Sequence, residues 1–390
     1  MMNWEDFWPL LTAIAIVMMV VPAVGLYMTF VERKVAALVQ DRLGPNRVGP
    51  LGLLQAVADA IKIMLKEQIV PGRAQKFLYM TAPGIGLIAS LLAIAVVPFG
   101  PVPVPQPGGV FRFMIAPGLD IGLLFLLAIS SLSAYGIILG GWASNNKYSL
   151  YGAIRSCAQF ISYEVPLGLS ILGIVAYAGT LSIEGIVESQ AGGILSWNIW
   201  WQPLAALIFF TSALAETNRL PFDLPECEQE LVGGFHTEYS GIKFVLFFLA
   251  EYTHVVTVSF LTALLFFGGW HFPGIGEPTP GLTPSSLLAM GILLGKVMLV
   301  VLFILMLRWT LPRFRFDQLM SLAWKGLIPL ALANLVGVAV ILSLDGPRWL
   351  MLPISIALFV AGGMMSAQQF QRAGSARQTS GRSLVQQGVS

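Results

Sequence analysis

Nine stretches of apolar sequence, each close to the length of a bilayer crossing, constrain this chain more than anything else in it. They run near residues 10–31, 77–98, 118–141, 160–179, 200–216, 243–268, 285–308, 326–344 and 349–366. A hydrocarbon core about 30 Å thick takes roughly 20 helical residues, because backbone groups in lipid must be satisfied within their own segment. The pattern predicts an all-α, polytopic membrane protein of about nine transmembrane helices. Only 11% of the residues are charged, against roughly 25% in a soluble domain, so a water-soluble fold is excluded. The first stretch begins with Glu5 and Asp6 and lacks a basic leader and a small-residue cleavage site; it reads as a span and not as a signal peptide. Eight spans is the alternative count, since only Asp345, Pro347 and Arg348 separate the last two stretches.

Basic residues test the count, because they gather on the inner side of a membrane protein. With the N-terminus outside and nine crossings, nineteen of the twenty-two Lys and Arg residues fall inside. Arg112 and Arg348 fall outside, and Lys296 lies within a span. Eight crossings would strand the Arg-bearing tail outside, so nine spans and an inner C-terminus are expected. Residues 1–366 then form one membrane domain. The segment 367–390, rich in Gln, Ser, Gly and Arg, is expected to be disordered.

The chain offers no cofactor site of its own. Cys157 and Cys227 stand alone, without a CxxC, and His236, His254 and His271 are scattered. That pattern gives no disulfide framework, zinc ribbon or iron–sulfur cluster. A net charge of +2 provides no field for nucleic acid.

Outside loops such as 100–109 are short, rich in Pro and Gly, and nearly uncharged, whereas the inside segments 32–76, 142–159 and 217–242 are long and charged. Residues 51–67 predict an interfacial amphipathic helix too short to span. Leu54, Val57, Ile61, Met64 and Leu65 recur at helical spacing on one face, with Gln55, Asp59, Lys62 and Lys66 on the other. Before it, Asp41-Arg42-Leu43-Gly44-Pro45-Asn46-Arg47-Val48-Gly49-Pro50 carries two Gly/Pro pairs that enforce an irregular path. Its arginines suit carboxylates, lipid headgroups, a partner protein or simple positive-inside anchoring. The third segment places six carboxylates in the 23 residues from Glu216 to Glu238, against one Arg and one His. They are interleaved with Leu, Phe, Val and Pro, so they are expected to be partly buried, where crowded carboxylates exchange protons as a coupled set. Gly233, Gly234 and Gly241 would let this segment rearrange.

Asp120, Glu164, Glu251, His254 and Lys296 interrupt the apolar stretches themselves. A charge at a helix centre costs on the order of 3 kcal/mol on the insertion scale, and several together point to a polar path. Glu251 and His254, three apart, share a helix face, and Pro166 frees a backbone carbonyl near Glu164. Asp120 sits near the outer end of its span, and Lys296 is placed to snorkel or to pair with a carboxylate.

Glu32-Arg33-Lys34, the Gly-Pro-Asn-Arg-Val-Gly-Pro run with its following helix, Ser162-Tyr163-Glu164-Val165-Pro166, and Glu216-Thr217-Asn218-Arg219-Leu220-Pro221-Phe222-Asp223-Leu224-Pro225-Glu226 together resemble the H-subunit family of NADH-quinone oxidoreductase. This is the membrane component of respiratory complex I called subunit 1 in mitochondria, and the likeness covers all but the tail. The resemblance implies a membrane-side wall for the quinone chamber, with Arg33, Asp59, Lys62, Arg219, Asp223, Glu226, Glu228 and Glu230 around it. It implies a proton path through Glu164, Glu216 and Glu251, with Asp120 as a further member. It also implies partners: hydrophilic quinone-site subunits, which with their neighbours hold flavin mononucleotide and iron–sulfur clusters, and antiporter-like membrane subunits. Quinone would be the substrate and a bacterial inner membrane the location. A homologous anchor of a membrane-bound hydrogenase-type complex is one alternative, although the intact Gly-Pro-Asn-Arg-Val-Gly-Pro run and complete acidic loop favour the quinone enzyme. A stand-alone secondary transporter and a purely structural anchor are others. The transporter would work without partner subunits, and the structural anchor would tolerate neutral residues at Glu164, Glu216 and Glu251.

Overall fold

The computed structural model of the chain describes residues 4–101, 114–116, 119–225, 228–274 and 283–364. Most of the 100–109 loop and the tail expected to be disordered lie outside the described residues. Within them the chain is helical and without strands. Ten helices carry the architecture: α1 (Trp4–Val39), α2 (Gln55–Met64), α3 (Lys76–Ile94), α4 (Gly122–Ala143), α5 (Lys147–Ala178), α6 (Pro203–Glu216), α7 (Ile242–Phe266), α8 (Pro284–Thr310), α9 (Phe316–Ser343) and α10 (Arg348–Met364). Seven of them are long and apolar enough to cross a membrane; α6 and α10 are apolar but shorter. The chain is thus an all-α polytopic membrane protein, and the two shorter helices stand where the fifth and ninth apolar stretches stood.

Two segments expected as inside loops are partly helical. α1 runs on past residue 31 to Val39 and carries Glu32, Arg33 and Lys34 as helical residues. α5 starts at Lys147, where the Asn146 side chain accepts the Tyr148 N–H at 3.0 Å and caps it. Polar residues at 147–159 lower hydropathy without lowering helix propensity, so the apolar stretch begins later than the helix. Gly179, at φ 69, closes α5 in the left-handed conformation. The amphipathic helix is shorter than its apolar pattern, Gln55–Met64, because Leu51 already lies at φ 55 and breaks helical geometry before it.

α7 is the axle of the bundle. Its residues from Tyr252 to Phe266 are all buried, and it packs on α3, α8 and α1. α3 and α4 approach closely because Gly136 lies against Gly86 and Ala82; a Cβ there would stand 2.8 Å from the Gly86 nitrogen. α9 contains a π-helical turn at Leu322–Leu327, clasped to α5. Trp324 donates to the Ser162 hydroxyl at 3.0 Å, and the Tyr163 hydroxyl donates to the Leu319 carbonyl at 2.9 Å. Ser162 and Tyr163 of α5 are therefore held from the side by the π turn and the helical turn just before it.

Candidate functional site

Burial of charge builds the site. Glu32, on the inner face of α1, is 7% exposed, and a carboxylate so placed needs donors and cations around it. It has three. Arg308, in the last turn of α8, is ion-paired with Glu32 Oε1. The Tyr252 hydroxyl donates to Oε2 at 2.5 Å, and Arg219 Nη1 lies 3.7 Å from the same oxygen. Arg219 reaches a second carboxylate through Nη2, 3.7 Å from Glu251 Oε2. Its guanidinium rests on the Tyr252 ring, 4.1 Å from the centroid, the stacking that a planar cation permits and an ammonium does not. Two acids and two arginines from α1, α7, α8 and the segment after α6 thus form one network.

The turn that delivers Arg219 is built by Gln159 of α5. This fully buried amide donates to the Ala215 carbonyl at 2.7 Å and to the Phe222 carbonyl at 2.8 Å. Thr217 donates to the Leu214 carbonyl, and Asn218 turns the chain at φ 52, a conformation asparagine accepts more readily than most residues. The two ends of the turn are thereby stapled together, with Glu216 and Arg219 between them.

A cavity of about 440 Å³ opens against this network, between α1, α2, α7 and α8. Glu32, Arg33, Arg42, Asp59, Tyr252 and Arg308 are among its polar groups, and Leu26, Ile63, Phe248 and Leu249 are among its apolar walls. Arg33 donates to Asp59 at 2.6 Å across its mouth. A second cavity of about 370 Å³ shares Arg33, Asp59, Ile63 and Phe244, and adds Lys62, Lys66 and the turn Tyr239–Gly241. Volumes of this size with mostly apolar walls and a few convergent polar groups suit a small amphiphilic ligand.

Behind the network lies a small void of about 30 Å³, with mostly apolar walls, reached by Glu216, Glu251 and His254. His254 Nε2 is 3.6 Å from Glu216 Oε1, and both side chains are buried. Arg33, Asp59, Lys62, Arg219, Glu216 and Glu251 are thus gathered around the two cavities and the void. Glu164 stands apart, in the seam between α4 and α5, where it accepts a hydrogen bond from the Ser131 hydroxyl.

Other residues singled out in the sequence have different surroundings. Asp223 is engaged by Arg313, whose Nη2 donates to its carboxylate at 2.5 Å and to its carbonyl at 2.9 Å. The adjoining Phe222 and Phe314 rings stack, so this corner clasps the segment between α8 and α9 and lines neither cavity. Glu230 is exposed and paired with Arg155 at 2.6 Å. Glu226 lies outside the described residues, as does the side chain of Glu228. Asp120 is exposed just before α4, away from the network. Lys296 has no carboxylate at its ammonium among the described residues. It donates instead to the carbonyls of Phe267, Gly269 and His271, at 2.7, 2.8 and 2.7 Å. The glycines of the acidic segment are more confined than their composition suggests: the backbone at Gly234 and Phe235 packs on Gly152, where a Cβ would meet the Phe235 nitrogen at 2.7 Å.

Glu32, Tyr252, His254 and Arg308 complete the site without having been assigned to it from sequence. His254 carried a signal, its place one turn from Glu251. Arg308 carried none, because a basic residue at the inner end of a span is already explained as an anchor. Among the described residues, no three His, Cys, Asp or Glu side chains converge on a metal position.

Comparisons with known proteins agree on one family. The family model described as NADH dehydrogenase matches residues 11–339. A protein of Protochlamydia amoebophila, named as the H subunit of NADH-quinone oxidoreductase, is 49% identical over 310 residues, covering 80% of this chain and 90% of that one. NADH-quinone oxidoreductase subunit 8 of Rhodothermus marinus is 45% identical over 350 residues, covering 87% and 98%. The H subunit of Leptospira biflexa is 49% identical over 311 residues, covering 78% and 86%.

Proposed function

Since the chain belongs to the NADH dehydrogenase family and is a membrane component of an NADH-quinone oxidoreductase complex, we propose that its two joined cavities form the membrane-side part of the quinone chamber. The network of Glu32, Arg219, Glu251 and Arg308 is the element that couples quinone reduction to proton movement. The observation that carries this reading is the shared arginine: Arg219 contacts Glu32 on the cavity wall and Glu251 beside the void.

The chemistry follows from charge. Reducing a quinone to a quinol takes up two electrons and two protons, and a transient negative charge at the head of the cavity draws on the nearest cations. Arg33 and Arg308 face that space. Any shift of Arg308 or Arg219 toward the ligand loosens their hold on Glu32 and Glu251, and a buried carboxylate that loses its cation takes up a proton. The perturbation then passes from a redox event in the cavity to protonation beside the void.

Electrons come from partner subunits that hold flavin and iron–sulfur clusters, and hydrophilic subunits close the chamber from the other side. Protons continue through Glu164 toward antiporter-like membrane subunits. The membrane is a bacterial inner membrane, with the N-terminus outside and the C-terminus inside. Replacing Glu216 with Gln in the assembled complex tests the reading. Quinone reduction and proton pumping should fall together by about tenfold or more, with NADH oxidation by a water-soluble acceptor unchanged. Undiminished pumping would overturn it.

A further inference from the structure

His254 is buried, and its Nε2 makes no hydrogen bond to the described protein atoms. Polar groups in such places are almost always satisfied. Nε2 faces Glu216 Oε1 at 3.6 Å, and both side chains line the small void with Glu251, one helical turn back on α7. The distance is too long for a hydrogen bond, and a modest rotation of either side chain closes it. The void of about 30 Å³ exceeds the roughly 10–15 Å³ that a water needs.

Charge balance separates the two carboxylates. Glu251 has Arg219 beside it, and Glu32 has Arg308 and Arg219, so two acids are matched by two guanidiniums. Among the described residues Glu216 has no guanidinium as an ion-pair partner; its cationic partner is the imidazole. The Glu216–His254 pair is net neutral whether the proton sits on the carboxyl oxygen or on Nε2. Glu216 can therefore ionise without leaving a lone charge in the bundle, which would otherwise be costly. The remaining walls of the void offer no competing titratable group: α3, α4 and α5 contribute Gly86, Ser133, Ile137 and Phe160, and the acidic segment contributes Thr217, Asn218 and Phe235.

We propose that His254 is a proton carrier between Glu251 and Glu216. As the proton shared by the Glu216–His254 pair leaves Glu216 for the next site, a proton on the Glu251 carboxylate passes, directly or through one water in the void, to Nε2, so that the pair again holds one proton, which then moves from Nε2 to Glu216. No bond other than those to hydrogen is made or broken, and the imidazole returns to its neutral form. An imidazole suits this step because its ordinary pKa lies closest to neutrality among side chains. The inference rests on the proton-coupling reading above and adds a carrier to it.

The test uses the assembled complex in proteoliposomes. His254→Asn and His254→Gln keep a polar amide but cannot exchange a proton. Both should lower coupled quinone reduction and pumping by about tenfold or more, while NADH oxidation by a water-soluble acceptor stays at the wild-type level. The double variant Glu216→Gln/His254→Asn should lose no more than the worse single variant, because both residues serve one step; independent packing defects would multiply instead. If Glu216→Gln pumps normally, the coupling reading itself fails. If Glu216→Gln is impaired and the His254 variants keep the wild-type rate, only the carrier role falls. Multiplicative losses, or failure of both His254 variants to assemble, would likewise assign His254 to packing and overturn the proposal.

Discussion

The Tyr252 hydroxyl donates to the Glu32 carboxylate at 2.5 Å, joining α7 to α1 across 220 positions of sequence. The same ring carries the Arg219 guanidinium on its face. One tyrosine thus fixes an acid by its edge and a base by its face, and the cavity network depends on both. Tyr252→Phe keeps the face and removes the edge. Loss of one hydrogen bond to a charged, buried group costs about 1.5–3 kcal/mol. Coupled quinone reduction by the purified complex should fall severalfold in this variant, with assembly retained. A rate equal to wild type would show that Glu32 does not need the hydroxyl.

Arg308 and Glu32 should behave as a pair. Removing Arg308 alone leaves a buried carboxylate short of a cation, a change worth about 3–5 kcal/mol in dry sites and less here, since the arginine side chain is 31% exposed. Arg308→Met should lower the thermal-inactivation midpoint of the complex, and Glu32→Gln/Arg308→Met should regain part of that loss. A double variant no more stable than Arg308→Met would show that the ion pair is not the source of the effect.

Asp59 predicts a different signature. Its bridge to Arg33 lies at a wetted mouth, with side chains 27% and 54% exposed, and such a pair contributes about 0–1 kcal/mol. Asp59→Asn should leave stability unchanged. It should raise the KM for a short-chain quinone severalfold, because the freed arginine repositions at the cavity. A lowered melting point with an unchanged KM would place Asp59 outside ligand binding.

These residues differ in how far the sequence disclosed them, and the reason is physical. A carboxylate in an apolar stretch, such as Glu251, is conspicuous because nothing local explains its cost. Arg308 was invisible for the opposite reason, since its place at the end of a span accounts for it without a partner. Asp223 shows another side of this: its motif groups it with the chamber residues, and nothing local discloses its partner Arg313, ninety positions away. The apolar stretches likewise located apolar helices yet missed the helical extensions of α1 and α5, because hydropathy reports the lipid and not the backbone. Gln159 shows the limit most plainly. A single amide within a helix gives no sign that it holds the turn between Ala215 and Phe222.

Alkaline titration offers a check on the far end of the acidic segment. Tyr239 stacks on Tyr79 with centroids 4.2 Å apart and donates to the Tyr79 carbonyl at 3.2 Å. Burial, and then the neighbouring Tyr79 phenol, push its pKa above the ordinary tyrosine value. The folded state therefore favours the protonated phenol. Its contribution is complete below the unfolded pKa, near 10, and is lost as pH rises from there through the higher folded value. Tyr239→Phe lacks this titration, so its stability deficit at pH 8 should shrink above pH 10. Thermal-inactivation midpoints at the two pH values measure it, and a constant deficit would refute the assignment.

Lys296 yields the sharpest distinction between stability and chemistry. Its ammonium gathers three carbonyls just beyond the end of α7 and stands 4.4 Å over the Trp197 ring. A cation at the C-terminus of a helix is favoured by the helix dipole, and here it also supplies the donors that the chain leaving the helix lacks. Lys296→Met removes three charge-assisted hydrogen bonds, each worth about 1.5–3 kcal/mol in isolation, though neighbouring bonds are not additive. A marked fall in thermal stability should follow. Arginine should restore little of it, because three donors radiating from one ammonium nitrogen are not reproduced by a planar fork. The carbonyls lie at the opposite end of α7 from Phe244 and the cavity walls, so the KM for quinone in the surviving complex should stay within about twofold of wild type, well under the tenfold that 1.4 kcal/mol represents. A shifted KM with intact stability would move Lys296 from the end of the helix into the chemistry.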